Sequence, residues 1–333
     1  MSADLVIDIG APPGTFDPRR ARRVIAALAT VAVVLALIFM VYDLRGSLSY
    51  ALELRTRKLA ALAIVGICIG ASAVMFHTIT HNRILTPSMI GFDALYVLIQ
   101  ISAAYAFGTF AFLRFDVRVR FAIELALMLG FAIVLQRWLL GRHRNDLYLL
   151  VLVGIVLGAM FTGLTAFVSR MIDPNEYITL QDQLFASFST ANEDLLVVAA
   201  LTTGGTLVLT AGLHRRLDVV ALGHANATSL GVDYGRVVDA TMFAVAVLVS
   251  VATALVGPIT FLGILVSNLA YRLTGTFRHR YTVATASLIA VVALVGGQFV
   301  LERVFHSTTR LSVIIGFVGG IYFIVLLLRG VDR

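Results

Sequence analysis

Long apolar runs separated by short polar segments dominate the sequence. Ten of the runs have about the length that a helix needs to cross the hydrocarbon core of a bilayer, roughly 20 residues. They lie at 24–41, 59–76, 92–112, 121–140, 147–167, 195–212, 237–256, 259–273, 283–300 and 311–328. The pattern predicts an all-α polytopic membrane protein with about ten transmembrane helices. We expect one transmembrane domain over residues 19–333, preceded by a flexible tail over residues 1–18.

The composition supports a membrane protein. Hydrophobic residues make up 59% of the 333 residues and charged residues 14%, and the mean hydropathy is +0.93. The first apolar run follows four arginines and ends at Tyr42 and Asp43 without the small residues of a signal-peptide cleavage site. We therefore expect a retained first helix.

The arginines indicate an orientation. Ten spans place both termini on one side of the membrane. With the N-terminus inside, 16 of the 26 lysine and arginine residues fall on the cytoplasmic side, as the positive-inside rule favours. Both termini are therefore predicted to be cytoplasmic.

A short amphipathic segment, at about 218–231, lies between the runs at 195–212 and 237–256. Its apolar residues fit one face of one or two short helices: Leu217, Val220, Ala221, Leu222, Ala225 and Leu230. Gly231 suits a helix C-terminus that needs a left-handed residue. From spacing alone, a helix lying on the bilayer surface explains the segment as well as a docking surface does.

Three motifs in order carry a resemblance to a known family. Leu222-Gly223 is followed by Ser229-Leu230-Gly231-Val232, then by one span and the turn Gly257-Pro258-Ile259-Thr260-Phe261-Leu262-Gly263. From about residue 55 to residue 329 the chain resembles the permease subunits of ABC importers for iron-siderophores and vitamin B12, which have the type II importer fold. The resemblance implies that a cytoplasmic ATPase docks on the segment at Leu222, Gly223, Ser229, Leu230 and Gly231. It also implies a functional turn at Gly257, Pro258 and Gly263.

The segment HTITHNRILTPSMIG, residues 77–91, joins the second and third spans. Pro87 restricts Thr86 to an extended conformation. From the residues alone an ordinary turn is the simpler interpretation. The family resemblance instead implies a cytoplasmic gate at Asn82, Ile84 and Pro87. The variant found here is similar to the branch that imports catecholate-type siderophores.

Basic residues also precede the second span and follow the ninth. In the family, such residues meet acidic residues on the two lobes of a substrate-binding protein. The resemblance implies this docking role for Arg55, Lys58 and Arg303.

The single lysine, Lys58, does not belong to a phosphate-binding loop. The chain therefore has no recognisable ATP site of its own. The resemblance implies that ATP and Mg²⁺ bind a separate ATPase subunit, that iron remains within the siderophore, and that this chain has no cofactor or metal of its own. No catalytic arrangement is evident, so an enzyme is not expected. The implied partners are ATPase subunits, a second permease (a heterodimer rather than a homodimer), a periplasmic or lipid-anchored siderophore-binding protein and membrane lipid, but no nucleic acid. The implied location is the bacterial inner membrane.

Two alternatives remain open from the sequence. One is an importer of another large chelate, haem or cobalamin. The other is a proton-coupled secondary transporter that uses Asp93 or Glu124, because carboxyl groups within spans are costly and often functional.

Overall fold

The computed structural model describes residues 18–42, 48–142, 147–184, 188, 193–304 and 310–331. The tail predicted for residues 1–18 lies outside this part except for Pro18, which begins the first helix. The described residues form helices joined by short turns. The helices are α1 Pro18–Val41, α2 Leu48–Thr80, a 3-10 helix Pro87–Ile90, α3 Phe92–Phe107, α4 Thr109–Leu113, α5 Val117–Arg142, α6 Leu147–Ser169, α7 Pro174–Leu184, α8 Glu193–Ala211, α9 His214–Val220, α10 His224–Ser229, α11 Tyr234–Val256, α12 Leu262–Thr274, α13 His279–Arg303 and α14 Leu311–Val331.

All ten predicted spans correspond to helices, but not all are full spans. Seven helices in the described part are long and apolar enough to cross a membrane, and α3, Phe92–Phe107, is apolar but shorter. Helix α14 is also apolar and has 21 residues. The tenth, α12, has 13 residues and is therefore about 20 Å long, less than the roughly 30 Å of a hydrocarbon core. The predicted helical membrane fold is confirmed, and two of its spans, α3 and α12, are short.

Two predicted boundaries were wrong. The run 92–112 is not one helix, because the chain breaks at Gly108 between α3 and α4. The run 259–273 begins outside any helix, since α11 ends at Val256 and α12 starts only at Leu262. Apolar composition alone did not distinguish a helix from a break of a few residues. The short helices α4 and α7 were not predicted.

The helices α2 and α11 form the centre of the bundle. Helix α2 packs against α13 and α11, and α11 also packs against α5 and α8. Glycines on α2 allow the close approach to α13: a Cβ atom at Gly66 would lie 2.8 Å from the backbone nitrogen of Val291. The apolar side chains of this centre, such as Leu62, Met75 and Leu248, are fully buried.

The two ends of the bundle are defined by the two ends of helix α2. Lys58 and Thr78 are 20 residues apart on this helix, which corresponds to about 30 Å at 1.5 Å per residue. We call the end that contains α9 and α10 the α10 end, and the opposite end the Lys58 end.

Candidate coupling and gating site

The segment predicted to dock an ATPase consists of the two short helices α9 and α10. Gly223 separates them with φ 93° and ψ 163°, a conformation essentially restricted to glycine. After α10, the Gly231 N–H donates to the Thr228 carbonyl and the Val232 N–H to the Ala227 carbonyl, both at 3.0 Å. With Gly231 at φ 80°, these two bonds form the Schellman motif that ends many helices. The predicted left-handed role of Gly231 is confirmed.

The apolar residues of the segment face two directions, contrary to the single face expected from spacing. Leu217, Val220 and Ala227 are fully buried against the bundle, whereas Leu222 and Leu230 are 55% and 63% exposed. The glycine between the helices turns the chain, so helical spacing does not continue across it. As a result, two leucines are exposed at the surface of the α10 end, as the predicted docking surface requires.

One chain of polar contacts connects this segment to α2. Asp218 on α9 accepts a hydrogen bond at 2.8 Å from the backbone N–H of His279, the first residue of α13, and its Oδ1 lies 2.6 Å from Nδ1 of the same residue. The other ring nitrogen of His279 lies 2.6 Å from Oγ1 of Thr78 on α2. His279 and Thr78 are both buried. The contacts from Asp218 through His279 to Thr78 therefore hold α9, α13 and α2 in one arrangement.

A second chain runs through Tyr234. The His224 ring of α10 packs edge-on against the Tyr234 ring, with a centroid distance of 4.8 Å. The Tyr234 hydroxyl lies 3.4 Å from Nε2 of His81, the residue that follows α2. Burial lowers the pKa of His81, so its ring is neutral at neutral pH and can accept this bond from the hydroxyl. The two chains of contacts reach α2 just before the predicted gate.

The predicted gate is a compact loop between α2 and α3. The Asn82 side chain accepts a hydrogen bond at 2.8 Å from the Ile84 N–H, which makes a local turn. Thr86 is extended (φ −109°, ψ 154°), and Pro87 occupies the first turn of the 3-10 helix, as predicted from the Thr-Pro pair. The three predicted gate residues thus belong to one ordered loop.

Glycines on α6 receive the end of this loop. A Cβ atom at Gly154 would overlap the Ile90 side chain, and one at Gly158 would lie 3.1 Å from the Gly91 Cα atom. In the sequence the pair Gly154 and Gly158 indicates only close helix packing. In the structure it allows the loop to approach α6.

Helix α12 holds the other side of the loop. The Arg83 guanidinium lies over the rings of Tyr271 and Phe277, at 5.1 Å and 4.6 Å from their centroids. The Asn268 amide donates to the Arg83 carbonyl at 3.3 Å. Cation–π stacking of this kind contributes about 0.5–2 kcal/mol per ring, so Arg83 anchors the loop.

The predicted turn at Gly257, Pro258 and Gly263 meets the gate loop. A Cβ atom at Gly263 would lie 3.3 Å from Cγ2 of Thr86 and 3.2 Å from Cβ of Ala73 on α2. Phe261, which lies between Pro258 and Gly263, adopts a left-handed conformation with φ 65°. This conformation costs about 1–3 kcal/mol for a residue other than glycine. The structure thus places the gate loop, between α2 and α3, beside the turn between α11 and α12.

At the Lys58 end, the residues predicted to dock a binding protein are close together and make contacts within the chain. Arg55 and Arg303 both donate to the Tyr42 carbonyl, at 2.8 Å and 3.1 Å. The Lys58 ammonium lies 2.7 Å from Oε1 of Glu302, and the two side chains are only 13% and 24% exposed. These contacts give all three residues a structural role in joining α1, α2 and α13.

We expect Lys58→Gln to lower the free energy of unfolding by about 1–3 kcal/mol, because it leaves the Glu302 carboxylate without its ammonium partner in a half-buried position. Thermal unfolding of the purified protein measures the change. Arg57→Gln is the matched control, since Arg57 pairs with Glu53 and Glu193 at an exposed position, where an ion pair contributes about 0–1 kcal/mol. Equal stability of the two variants would contradict the structural role of Lys58.

Sequence reasoning missed the residues that connect the segment to the gate, namely Asp218, His279 and Tyr234. Each is a polar residue near a helix end, which is common in any membrane protein. Nothing in the linear order indicated that Asp218 and His279, 61 positions apart, would meet.

Comparisons with known proteins identify the family and the fold. The model of the FecCD transport family matches residues 23–329. The petrobactin import system permease protein YclO of Bacillus subtilis (strain 168) is 45% identical over 305 residues, which cover 92% of this chain and 96% of YclO. The petrobactin import system permease protein FatC of Bacillus anthracis is 35% identical over 83% of this chain and 78% of its own length. An inward-facing structure of a putative metal-chelate type ABC transporter superposes with a TM-score of 0.79 at 20% identity, over 92% of this chain and 99% of that one, which establishes the fold.

Proposed function

The chain belongs to the FecCD transport family, and from this premise we propose that it is the permease subunit of an ATP-driven importer for a ferric siderophore. The observation that carries the proposal is the 45% identity to a petrobactin import permease over nearly the full length of both chains. The family predicted from the coupling and turn motifs is confirmed. Within the proposal the cargo is a siderophore of the catecholate type, and petrobactin is the first to test.

The proposed ATPase contact is the surface of α9 and α10. Leu222 and Leu230 insert into the ATPase. Gly223 and Ser229 lie between them, and Gly231 ends α10. ATP and Mg²⁺ bind the ATPase, and the iron stays within the siderophore. This chain therefore forms the translocation pathway and catalyses no reaction. The segment at about 218–231 is one part of a single permease domain over residues 19–333.

The gate is proposed at Asn82, Ile84 and Pro87. The contacts from Asp218 to Thr78 and from His224 to His81 support this assignment, because a displacement of α9 and α10 reaches the α2 end of the gate loop through packed, hydrogen-bonded side chains. Gly263 contacts the same loop from α12. Gly257 and Pro258 supply the break between α11 and α12, so that α12 begins beside the gate loop.

The remaining partners follow from this arrangement. The protein crosses the membrane several times, and we propose that this membrane is the bacterial inner membrane, with the α10 end and both termini in the cytoplasm. A second permease, different from this chain, completes the pathway. A periplasmic or lipid-anchored binding protein delivers the siderophore at Arg55, Lys58 and Arg303. These residues contact the binding protein in addition to the intramolecular contacts that they already make.

Transport into proteoliposomes tests the function. Vesicles that contain this chain, its second permease and the ATPase, with binding protein outside, should accumulate radioactive iron as ferric petrobactin when ATP is supplied on the ATPase side. Haem and cobalamin should not accumulate. A protonophore should leave the uptake unchanged, since the driving force is ATP. Uptake that persists without ATP and stops with the protonophore would replace the proposal by proton-coupled transport.

A further inference from the structure

A cleft of about 1480 Å³ lies at the α10 end, between α9, the end of α2 and the turn that joins α12 to α13. The charged residues of its lining are four arginines and one aspartate: Arg83, Arg215, Arg278, Arg280 and Asp218. Burial lowers the pKa of His81 and of His214 in the same lining, so these two rings are neutral at neutral pH. The arginines therefore give the cleft an excess of positive charge.

Contacts between α9 and α13 bring two of these arginines into the same wall. The Asp218 carboxylate of α9 accepts a hydrogen bond at 2.8 Å from the backbone N–H of His279, and Arg280 is the next residue of α13. Arg215 precedes Asp218 by three positions on α9, and residues three apart lie on the same face of a helix. Arg215 and Arg280 thus line the cleft from two helices that the contact between Asp218 and His279 holds together.

These two arginines have no acidic partner in the described part of the chain. Both are exposed, and neither forms an ion pair with a described aspartate or glutamate. The Asp218 Oδ1 atom is already engaged by His279. An exposed guanidinium group is solvated by water, but one that another protein covers without a partner is costly.

The cleft continues into the proposed ATPase contact. Leu222, which is 55% exposed, belongs to its lining, so an ATPase that covers this leucine also covers the edge of the cleft. The volume exceeds the roughly 300–1,000 Å³ of an ordinary small-molecule site, and several side chains of a partner fit. Because complementary charges match across protein interfaces, the covering surface should be acidic.

We propose that an acidic segment of the ATPase subunit enters this cleft and pairs its carboxylates with Arg215 and Arg280. The inference rests on the proposed ATPase contact at Leu222 and adds the chemistry of the partner surface, namely carboxylates beside the pocket that receives the leucine. The leucine contributes apolar burial. The ion pairs fix the orientation of the ATPase and accelerate its association.

Titration of the ATPase onto the permease tests the ion pairs. The permease pair is placed in phosphatidylcholine nanodiscs, and the dissociation constant is measured from about 50 to 500 mM NaCl, a range over which screening of charges increases strongly. Arg215→Glu combined with Arg280→Glu should weaken binding about 30-fold or more at low salt, because loss of one partner from a covered charge pair already costs that much. The salt dependence should be smaller than in the wild type.

Arg216→Glu combined with Arg272→Glu is the matched control. It changes the net charge of the chain by the same amount at two exposed arginines on α9 and α12, both outside the lining of the cleft. Binding should weaken less than about threefold, as is usual for exposed charges. Equal weakening by the two double variants would show general charge attraction and overturn the proposal.

Carbodiimide coupling identifies the carboxylates directly. This reagent joins a carboxylate to an amine, and the one lysine of the chain, Lys58, lies at the other end of the bundle. Arg215→Lys keeps the positive charge and should couple to an aspartate or glutamate of the ATPase, which mass spectrometry of the linked peptides locates. Arg216→Lys should not couple. If the double glutamate variant does not fold, this charge-preserving pair still decides the question.

The outcomes separate this inference from the proposed ATPase contact. A wild-type permease that does not bind the ATPase, or a Leu222→Asp variant that binds it normally, would overturn that contact. Binding that depends on Leu222 but neither responds to Arg215→Glu with Arg280→Glu nor yields the coupled peptide would overturn the acidic segment alone. An effect of the glutamate variants only in nanodiscs that contain phosphatidylglycerol would also overturn it, since a lipid phosphate would then occupy the cleft.

Discussion

Leu222→Asp is expected to abolish co-purification of the ATPase with the permease. The leucine is 55% exposed at the tip between α9 and α10, so its replacement removes little from the core of this chain. In a complex, the aspartate would have to be desolvated in a pocket that receives an apolar side chain. Loss of a central interface residue costs about 2–4 kcal/mol, which corresponds to a roughly 30- to 1,000-fold weaker complex.

Pull-down of the ATPase with a tagged permease measures this loss. Leu222→Met retains an apolar side chain of similar volume and should keep the ATPase bound. Leu230→Asp, at the second exposed leucine, should reproduce the defect. Size-exclusion profiles and thermal unfolding of all variants should match the wild type. ATPase binding that survives both aspartate substitutions would place the interface elsewhere on the chain.

The sequence predicted the helices well because a membrane span is a long and simple signal. Ten apolar runs became ten helical regions, since lipid leaves helix formation as the main way to satisfy backbone groups. It predicted the breaks only in part. The turn at Gly257 and Pro258 was predicted from its motif, but the next helix was expected to begin at residue 259 and begins at Leu262, after Phe261, which closely approaches Gly319. The break at Gly108 lies within an apolar run and was not predicted.

The candidate site was predicted in part. Glycine and proline predicted the backbone conformation around α9, α10 and the gate loop. Such conformations are restricted to a few residue types, so the sequence shows where they occur. The spacing rule failed for Leu222 and Leu230, which were expected on the same face as Leu217 and Val220. It fails there because Gly223 interrupts the helix, and a helical period has no meaning across an interruption.

We expect Asp218→Ala to uncouple ATP hydrolysis from transport. Asp218 accepts from the backbone N–H of His279 and lies within hydrogen-bond distance of its ring, and His279 in turn contacts Thr78. Removing the carboxylate leaves the first N–H of α13 and a buried ring nitrogen without their acceptor, at a cost of about 1–3 kcal/mol. Helix α9 then loses its polar connection to α2. Because Leu222 and Leu230 are unchanged, the ATPase should remain bound and continue to hydrolyse ATP.

The measurement is the ratio of siderophore transported to ATP hydrolysed in proteoliposomes, and we expect it to fall about tenfold or more. Arg236→Ala is the matched control at the same end, since Arg236 is 88% exposed in its ion pair with Asp233 and such pairs contribute little. A structural defect alone would lower hydrolysis and transport together, whereas loss of the connection lowers only transport. If transport per ATP stays at the wild-type value in Asp218→Ala, the displacement of α9 must reach the gate by another route, and the contact between His224 and Tyr234 becomes the first candidate.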